Sequence, residues 1–179
     1  MTRRLDRRSF LCIRVLGFLY LRFLINYFSN LKKEQNPFID KLGTTLILPM
    51  AGRGSRFSKE GYQKPKPFLD VDGKEMILQA VNCLPETKEK VFICLKQHNK
   101  DYDLEKLLSK EYSNSRMYQI EDVTEGQACT CEIGLNLDNF DLEKPILISA
   151  CDNGVHYDTE KYQKLVDDES NDIIVWSFR

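Results

Sequence analysis

Thr44–Phe57 reads TTLILPMAGRGSRF. Its first five residues are a short β-branched and apolar run of the buried-strand kind, halted by Pro49, whose nitrogen carries no hydrogen for a ladder. Two glycines follow at G-x-G spacing, Gly52 and Gly54. Glycines let backbone N–H groups approach a ligand closely, and a turn of exposed N–H groups makes a phosphate cradle. Neither common nucleotide motif is present: the third Rossmann glycine falls on Phe57, and Gly73-Lys74 is followed by Glu75 with Phe68 where a P-loop needs glycine.

Working outward, strand and helix signals alternate. Met76–Cys83 reads as a short helix, Lys90–Leu95 as a strand, Leu104–Lys110 as a charged helix, and Met117–Ile120 as a weaker strand. Gln127–Leu137 reads as a helix behind the turn Thr124-Glu125-Gly126, and Pro145–Ala150 as a buried strand. Thr159–Val166 is a helix with Thr159 as its cap, and Asp172–Phe178 a last strand. The pattern implies a mostly parallel sheet with helices on both faces, with ligands at the carboxyl ends of the strands. The sequence stops directly after that last strand signal, which reads as a truncated domain with an exposed edge. Self-association is expected of such an edge.

The chain has 179 residues, 42% apolar and 30% charged, which suits one globular domain and excludes a disordered, collagenous or polytopic membrane protein. The formal charge is −1, so bulk electrostatics point to no nucleic acid partner. That balance is uneven: residues 1–42 carry nine basic and three acidic residues, a net +6. The six cysteines include no C-x-x-C pair and sit in apolar runs, which reads as reduced thiols in a cytoplasmic protein.

Phe10–Phe28, FLCIRVLGFLYLRFLINYF, is nineteen mostly apolar residues interrupted by Arg14 and Arg22. On a helix, Arg7, Arg14, Arg22 and Asn26 fall in one stripe, giving an amphipathic element with a narrow basic face. Peripheral contact of residues 1–33 with an anionic membrane and packing on the body or a partner stand as equal readings, ahead of a membrane span. The arginines break any secretory signal. Lys32–Lys41 is polar and holds Pro37, so residues 1–42 read as an extension and linker, and residues 43–179 as the domain.

Lys64-Pro65-Lys66-Pro67-Phe68-Leu69 brings a second cation near the glycine loop on a proline-stiffened backbone, before a turn at Asp70–Lys74. Arg56 and Lys66 together carry charge enough to neutralise a triphosphate; a solvated basic loop is the bland alternative. Asp152-Asn153-Gly154 is likewise a good turn by itself.

With these residues in view, Leu46–Ile77, LILPMAGRGSRFSKEGYQKPKPFLDVDGKEMI, resembles the amino-terminal signature of sugar-phosphate nucleotidyltransferases, the nucleotide-sugar pyrophosphorylases, above all those of capsule and lipopolysaccharide synthesis. Thr124–Thr130 (TEGQACT) looks like the family's base-binding turn, Ile148–Gly154 (ISACDNG) like its metal-aspartate strand end, and Asp172–Arg179 like the next strand. The resemblance covers residues 43–179. It implies a Rossmann-like three-layer α/β nucleotidyltransferase fold. It also implies transfer of a nucleoside monophosphate from an NTP to a sugar 1-phosphate, with pyrophosphate leaving. By this likeness Ala51, Gly52, Arg53, Gly54 and Ser55 cradle the nucleotide, Arg56 steadies the leaving phosphates and Lys66 contacts the α-phosphate. Gly126 and Gln127 face base and ribose, and Asp152 holds Mg²⁺. Displacement between anions needs positioning and charge neutralisation and no protein nucleophile. Members of the family continue past this length with sugar-phosphate strands and a second metal aspartate. Two other readings therefore stand: a non-catalytic nucleotide-binding fragment, and a glycosyltransferase of the related fold, which Asp152-Asn153-Gly154 disfavours for want of a second carboxylate.

Overall fold

A computed structural model describes residues 40–138 and 140–177, except the side chain of Arg56. The amphipathic reading of residues 10–28 lies outside the described residues. The described elements, in chain order, begin with β1 (Thr45–Pro49), α1 (Ser55–Lys59), a 3₁₀ turn at Lys66–Phe68, β2 (Asp70–Val71), β3 (Lys74–Glu75) and α2 (Met76–Asn82). They continue with β4 (Glu89–Leu95), α3 (Lys96–Tyr102), α4 (Leu104–Glu111), β5 (Ser115–Ile120), α5 (Gln127–Leu135), β6 (Ile146–Ile148) and α6 (Thr159–Asp167).

Four strands form a parallel sheet in the order β5-β4-β1-β6. β1 is central and pairs β4 from Thr45↔Glu89 to Pro49↔Ile93 on one side and β6 from Thr45↔Ile146 to Ile47↔Ile148 on the other. All five of its residues are buried, which explains why its sequence runs apolar without alternation. Its start is tied down by Asp40, whose carboxylate accepts hydrogen bonds from the Thr44 backbone N–H (2.8 Å), the Thr44 hydroxyl (2.9 Å) and the Lys88 N–H (3.1 Å).

Side-chain alternation divides the core into two layers. Leu46, Leu48, Phe92 and Cys94 face Ile77, Leu78 and Val81 of α2 and Leu104 and Leu108 of α4. Ile47, Val91 and Ile93 face the other way, onto Cys131 and Leu135 of α5. A Cβ on Gly134 would lie 2.7 Å from Ile93 Cδ1, so α5 rests its backbone directly on the sheet. Helix, sheet and helix make three layers, the Rossmann-like α/β arrangement that the alternating signals imply.

The tight turn between β2 and β3 places Asp72 and Gly73 at φ 55° and 80°, the two left-handed positions of a primed hairpin turn. Leu69, Val71, Met76 and Ala80 bury together beneath it, with Phe57 and Tyr62 against them, so this cluster fixes the segment that carries Lys66.

One element goes unread in the sequence and two readings need correction. Lys96–Tyr102 is a helix that its charged, polar sequence does not advertise; His98 is buried and Tyr102 packs on the core, stacked on Phe68 at 4.4 Å. The cap of α6 is Asp158, whose carboxylate accepts from the Lys161 N–H at 3.1 Å, and Thr159 is the first helical residue. Residues 172–177 are not a strand: they form no ladder with any described segment. Ile174 and Trp176 turn inward, Trp176 stacking on Tyr157 at 5.4 Å, while Ile173 and Val175 remain 81% and 79% exposed. Alternation alone makes an extended chain; a strand also needs a neighbour whose N–H and C=O groups match.

Phe92 is wholly buried and stacks at 6.1 Å on Tyr112. Phe92→Ala is expected to lower unfolding free energy by about 3–5 kcal/mol, measured by urea denaturation. His98 is 6% exposed beside the edge of the Phe68 ring, and burial holds its pKa below the ordinary 6.5 against an opposing pull from Asp101. The unfolded chain therefore takes up this proton at higher pH than the folded one, so stability falls as pH drops through about 6.5. His98→Gln is expected to flatten that limb in denaturation curves taken from pH 7.5 to 5.

Candidate functional site

Because the strands are parallel, their carboxyl ends open on one side of the sheet, and a cavity of about 510 Å³ sits there. Its floor is the chain leaving β1: Pro49, Met50, Ala51, Gly52, Gly54 and Ser55. Met50 N–H still bonds to Ile93 C=O at 2.8 Å, so the loop departs from a point held by the sheet. One wall is the turn ahead of α5 with Thr124, Gly126, Gln127 and Thr130. The opposite wall brings Lys66 from the 3₁₀ turn against Asp152, just beyond β6. Segments scattered over a hundred residues thus meet at one opening.

The glycines differ in what they do. Gly54, at φ 61°, needs the left-handed region and sits where a Cβ would be 3.6 Å from the Lys66 nitrogen, so it closes the loop onto the lysine segment. Gly52 and Gly126 carry no such demand. A Cβ on either would meet nothing within 4 Å, and the φ of Gly126, −179°, is extended backbone open to any residue. The room they leave belongs to the cavity.

Thr124 holds the α5 wall in shape. Its hydroxyl donates to Gly126 C=O at 2.8 Å and lies 2.6 Å from the Thr130 hydroxyl, locking the turn to the first turn of the helix. Among the described lining residues only Lys66 and Asp152 bear charge, and they are ion-paired to each other with side chains 24% and 17% exposed. The Lys66 ammonium also lies 5.3 Å from the centre of the Phe57 ring. Cys151 lines the cavity too, and burial together with the neighbouring Asp152 carboxylate pushes its thiol up to about 12.

Ala51, Gly52, Gly54, Ser55, Lys66, Gly126, Gln127 and Asp152 line this cavity together. Arg53 does not. Its side chain lines a separate cavity of about 320 Å³ and lies 3.8 Å from Asp122, both exposed. The Arg56 side chain lies outside the described residues. Phe57 of α1, Pro67 of the 3₁₀ turn and Val123 also line the cavity; the sequence reading gives them no site role, since an apolar residue looks the same whether it faces the core, solvent or a ligand. His156 is exposed and outside the lining.

No protein-family model matches the chain, and no curated protein sequence matches it. Among solved structures, it is similar to the nucleoside-diphosphate-sugar pyrophosphorylase from Vibrio cholerae RC9, at 24% identity and a TM-score of 0.52. This likeness establishes the fold. The match covers 65% of this chain and 52% of that one, so the chain spans about half the length of its structural neighbour. Among the described residues, no helix is long and apolar enough to cross a membrane, and no group of three His, Cys, Asp or Glu side chains is placed to hold a metal ion.

Burial also pushes the Cys94 thiol up to about 12. A thiol at that value is almost entirely protonated at pH 8, and the thiolate is the reactive form. Cys94 and Cys151 are therefore expected to resist iodoacetamide at pH 8 in the folded protein and to react in denaturant, as read by mass spectrometry of the digested chain.

Proposed function

We propose that the cavity binds a nucleoside triphosphate and that the chain serves nucleotidyl transfer to a sugar 1-phosphate or similar phosphate. The observation that carries this reading is the room left by Gly52 and Gly126 on either side of a cavity at the carboxyl ends of a parallel sheet. Neither a positive φ nor the packing requires glycine at those positions, and both border the cavity, an arrangement suited to a ligand that touches backbone. The volume suits a nucleotide-sized molecule, and the structural neighbour bears the name of a nucleoside-diphosphate-sugar pyrophosphorylase.

In this reading Ala51–Ser55 form the backbone cradle, with Arg53 contributing through its main chain. Gly126 and Gln127 face base and ribose, and the helix start behind them adds N–H groups suited to an anion. Lys66 and Arg56 neutralise the phosphates. An oxygen of the sugar phosphate attacks the α-phosphorus; the new P–O bond forms as the bond to the β-phosphate oxygen breaks, and pyrophosphate carries away the electron pair. Asp152 would hold Mg²⁺. A single carboxylate at a cavity wall fits Mg²⁺, which is commonly held by one or two carboxylates with water and substrate phosphates completing the shell. When bound, the ion supplies charge neutralisation to the phosphates.

The finer parts of the proposal rest on sequence alone. They are service in cell-surface polysaccharide synthesis, a cytoplasmic location with peripheral membrane contact through residues 1–33, a division at residue 42 between extension and domain, and self-association. For the membrane contact, salt-sensitive recovery on anionic but not neutral vesicles is the expected outcome, and equal recovery on both counts against it.

Calorimetric titration with CTP, UTP, dTTP, GTP and ATP in MgCl₂ tests the central claim. At least one is expected to bind, and Gly52→Ala is expected to weaken that nucleotide by tenfold or more, about 1.4 kcal/mol, with the melting temperature unchanged. Pyrophosphate release is then expected on adding an acceptor from a panel of sugar 1-phosphates. Absence of binding by all five nucleotides would overturn the reading; binding without release would restrict it to nucleotide capture.

A further inference from the structure

Lys66 and Asp152 are the only charged residues among the described lining of the cavity, and each is the other's partner. Between these two residues the charge cancels. The Lys66 ammonium is committed to a carboxylate, and that same carboxylate repels any phosphate that approaches. Such a surface is poorly suited to a polyanion until the pair is opened. The pair is also well placed to be opened: Lys66 stands on a 3₁₀ turn stiffened by Pro65 and Pro67, Asp152 follows β6 on a separate segment, and both side chains retain access to the cavity.

We propose that the Lys66–Asp152 ion pair is a latch that makes polyphosphate binding conditional on a divalent cation. A cation arriving with the phosphates takes over Asp152 and, in the same event, releases the Lys66 ammonium to the phosphate oxygens. The exchange replaces the Lys66–Asp152 pair by Lys66–phosphate and Asp152–cation pairs and screens the repulsion between Asp152 and phosphate, so cation and polyphosphate reinforce each other's binding and neither alone opens the site fully. The chain therefore discriminates against metal-free nucleotide with residues already in its wall. The proposal rests on the nucleotide reading above and adds to it the order in which the site accepts its ligands.

The latch makes an inverted prediction for its acidic member. In EDTA, Asp152→Asn is expected to bind the accepted nucleotide tighter than wild type by about tenfold, the size of one charge-assisted hydrogen bond, because Lys66 is freed and a repelling charge removed. On adding MgCl₂ the wild type is expected to gain strongly and Asp152→Asn to gain little, so the two affinities cross. Calorimetry with CTP, UTP, dTTP, GTP and ATP reads both conditions. A second measurement needs no nucleotide: Lys66→Gln is expected to bind Mn²⁺, followed by its paramagnetic resonance signal, about tenfold tighter than wild type, since the lysine no longer occupies the carboxylate. If wild type binds nucleotide with Mg²⁺ but Asp152→Asn in EDTA is no tighter than wild type, the latch is overturned and the nucleotide reading survives. If no nucleotide binds wild type with Mg²⁺, the nucleotide reading falls. In either case, unchanged Mn²⁺ affinity in Lys66→Gln overturns the latch by itself.

Discussion

β1 is hydrogen-bonded on both edges and covered on both faces, and the site depends on that double enclosure. A strand paired in parallel on two sides has no freedom to slip, because a shift of one residue would turn Leu46 and Leu48 out of one layer and Ile47 out of the other. Its register therefore sets the height at which Pro49 ends the ladder. The glycine loop begins where the sheet stops, with the Met50 bond to Ile93 as the last rung.

From that anchor, the remaining walls arrive by different routes. β6 delivers Asp152 three residues beyond its bond from Ser149 to Ile47, so the carboxylate inherits its position from the same central strand. The turn before α5 is braced internally by Thr124 and Thr130, and α5 is pressed close to the sheet because Gly134 lacks a side chain. Lys66 is held from below by the small cluster of Leu69, Val71, Met76 and Ala80. These supports converge on an opening whose own residues are small or polar apart from Pro49, Met50, Phe57, Pro67 and Val123. Rigid placement of this kind lets backbone groups act as ligands, since their reorganisation has already been met by folding.

Much of the scaffold was legible because buried parallel strands concentrate β-branched and apolar residues in runs that no loop tolerates. TTLIL and KVFICL stand out for that reason; PILISA, read as a buried strand, does hold β6, but that strand is only half-buried and Ile148 is 54% exposed. The glycine loop was legible as a place where backbone is exposed. The failures share a cause as well. The α3 helix escapes notice because only His98 and Tyr102 of its seven residues turn toward the core, and DIIVWSF has a strand's alternation without a strand's neighbour. Each depends on what lies opposite, which a local pattern does not contain.

The amino-acid sequence by itself determined the layered α/β plan and the location of the glycine loop after the first strand, since these follow from burial periodicity and from the chemistry of proline and glycine at fixed positions. Only the tertiary structure decided that Lys66 and Asp152, 86 residues apart, hold one another across the cavity. It also decided that Gly52 and Gly126 border open space and that Arg53 faces away. The physical reason is range. Propensity and periodicity act over a few residues along the chain, whereas an ion pair and the space left by an absent side chain are set by whichever distant segments the closed sheet brings within a few ångströms.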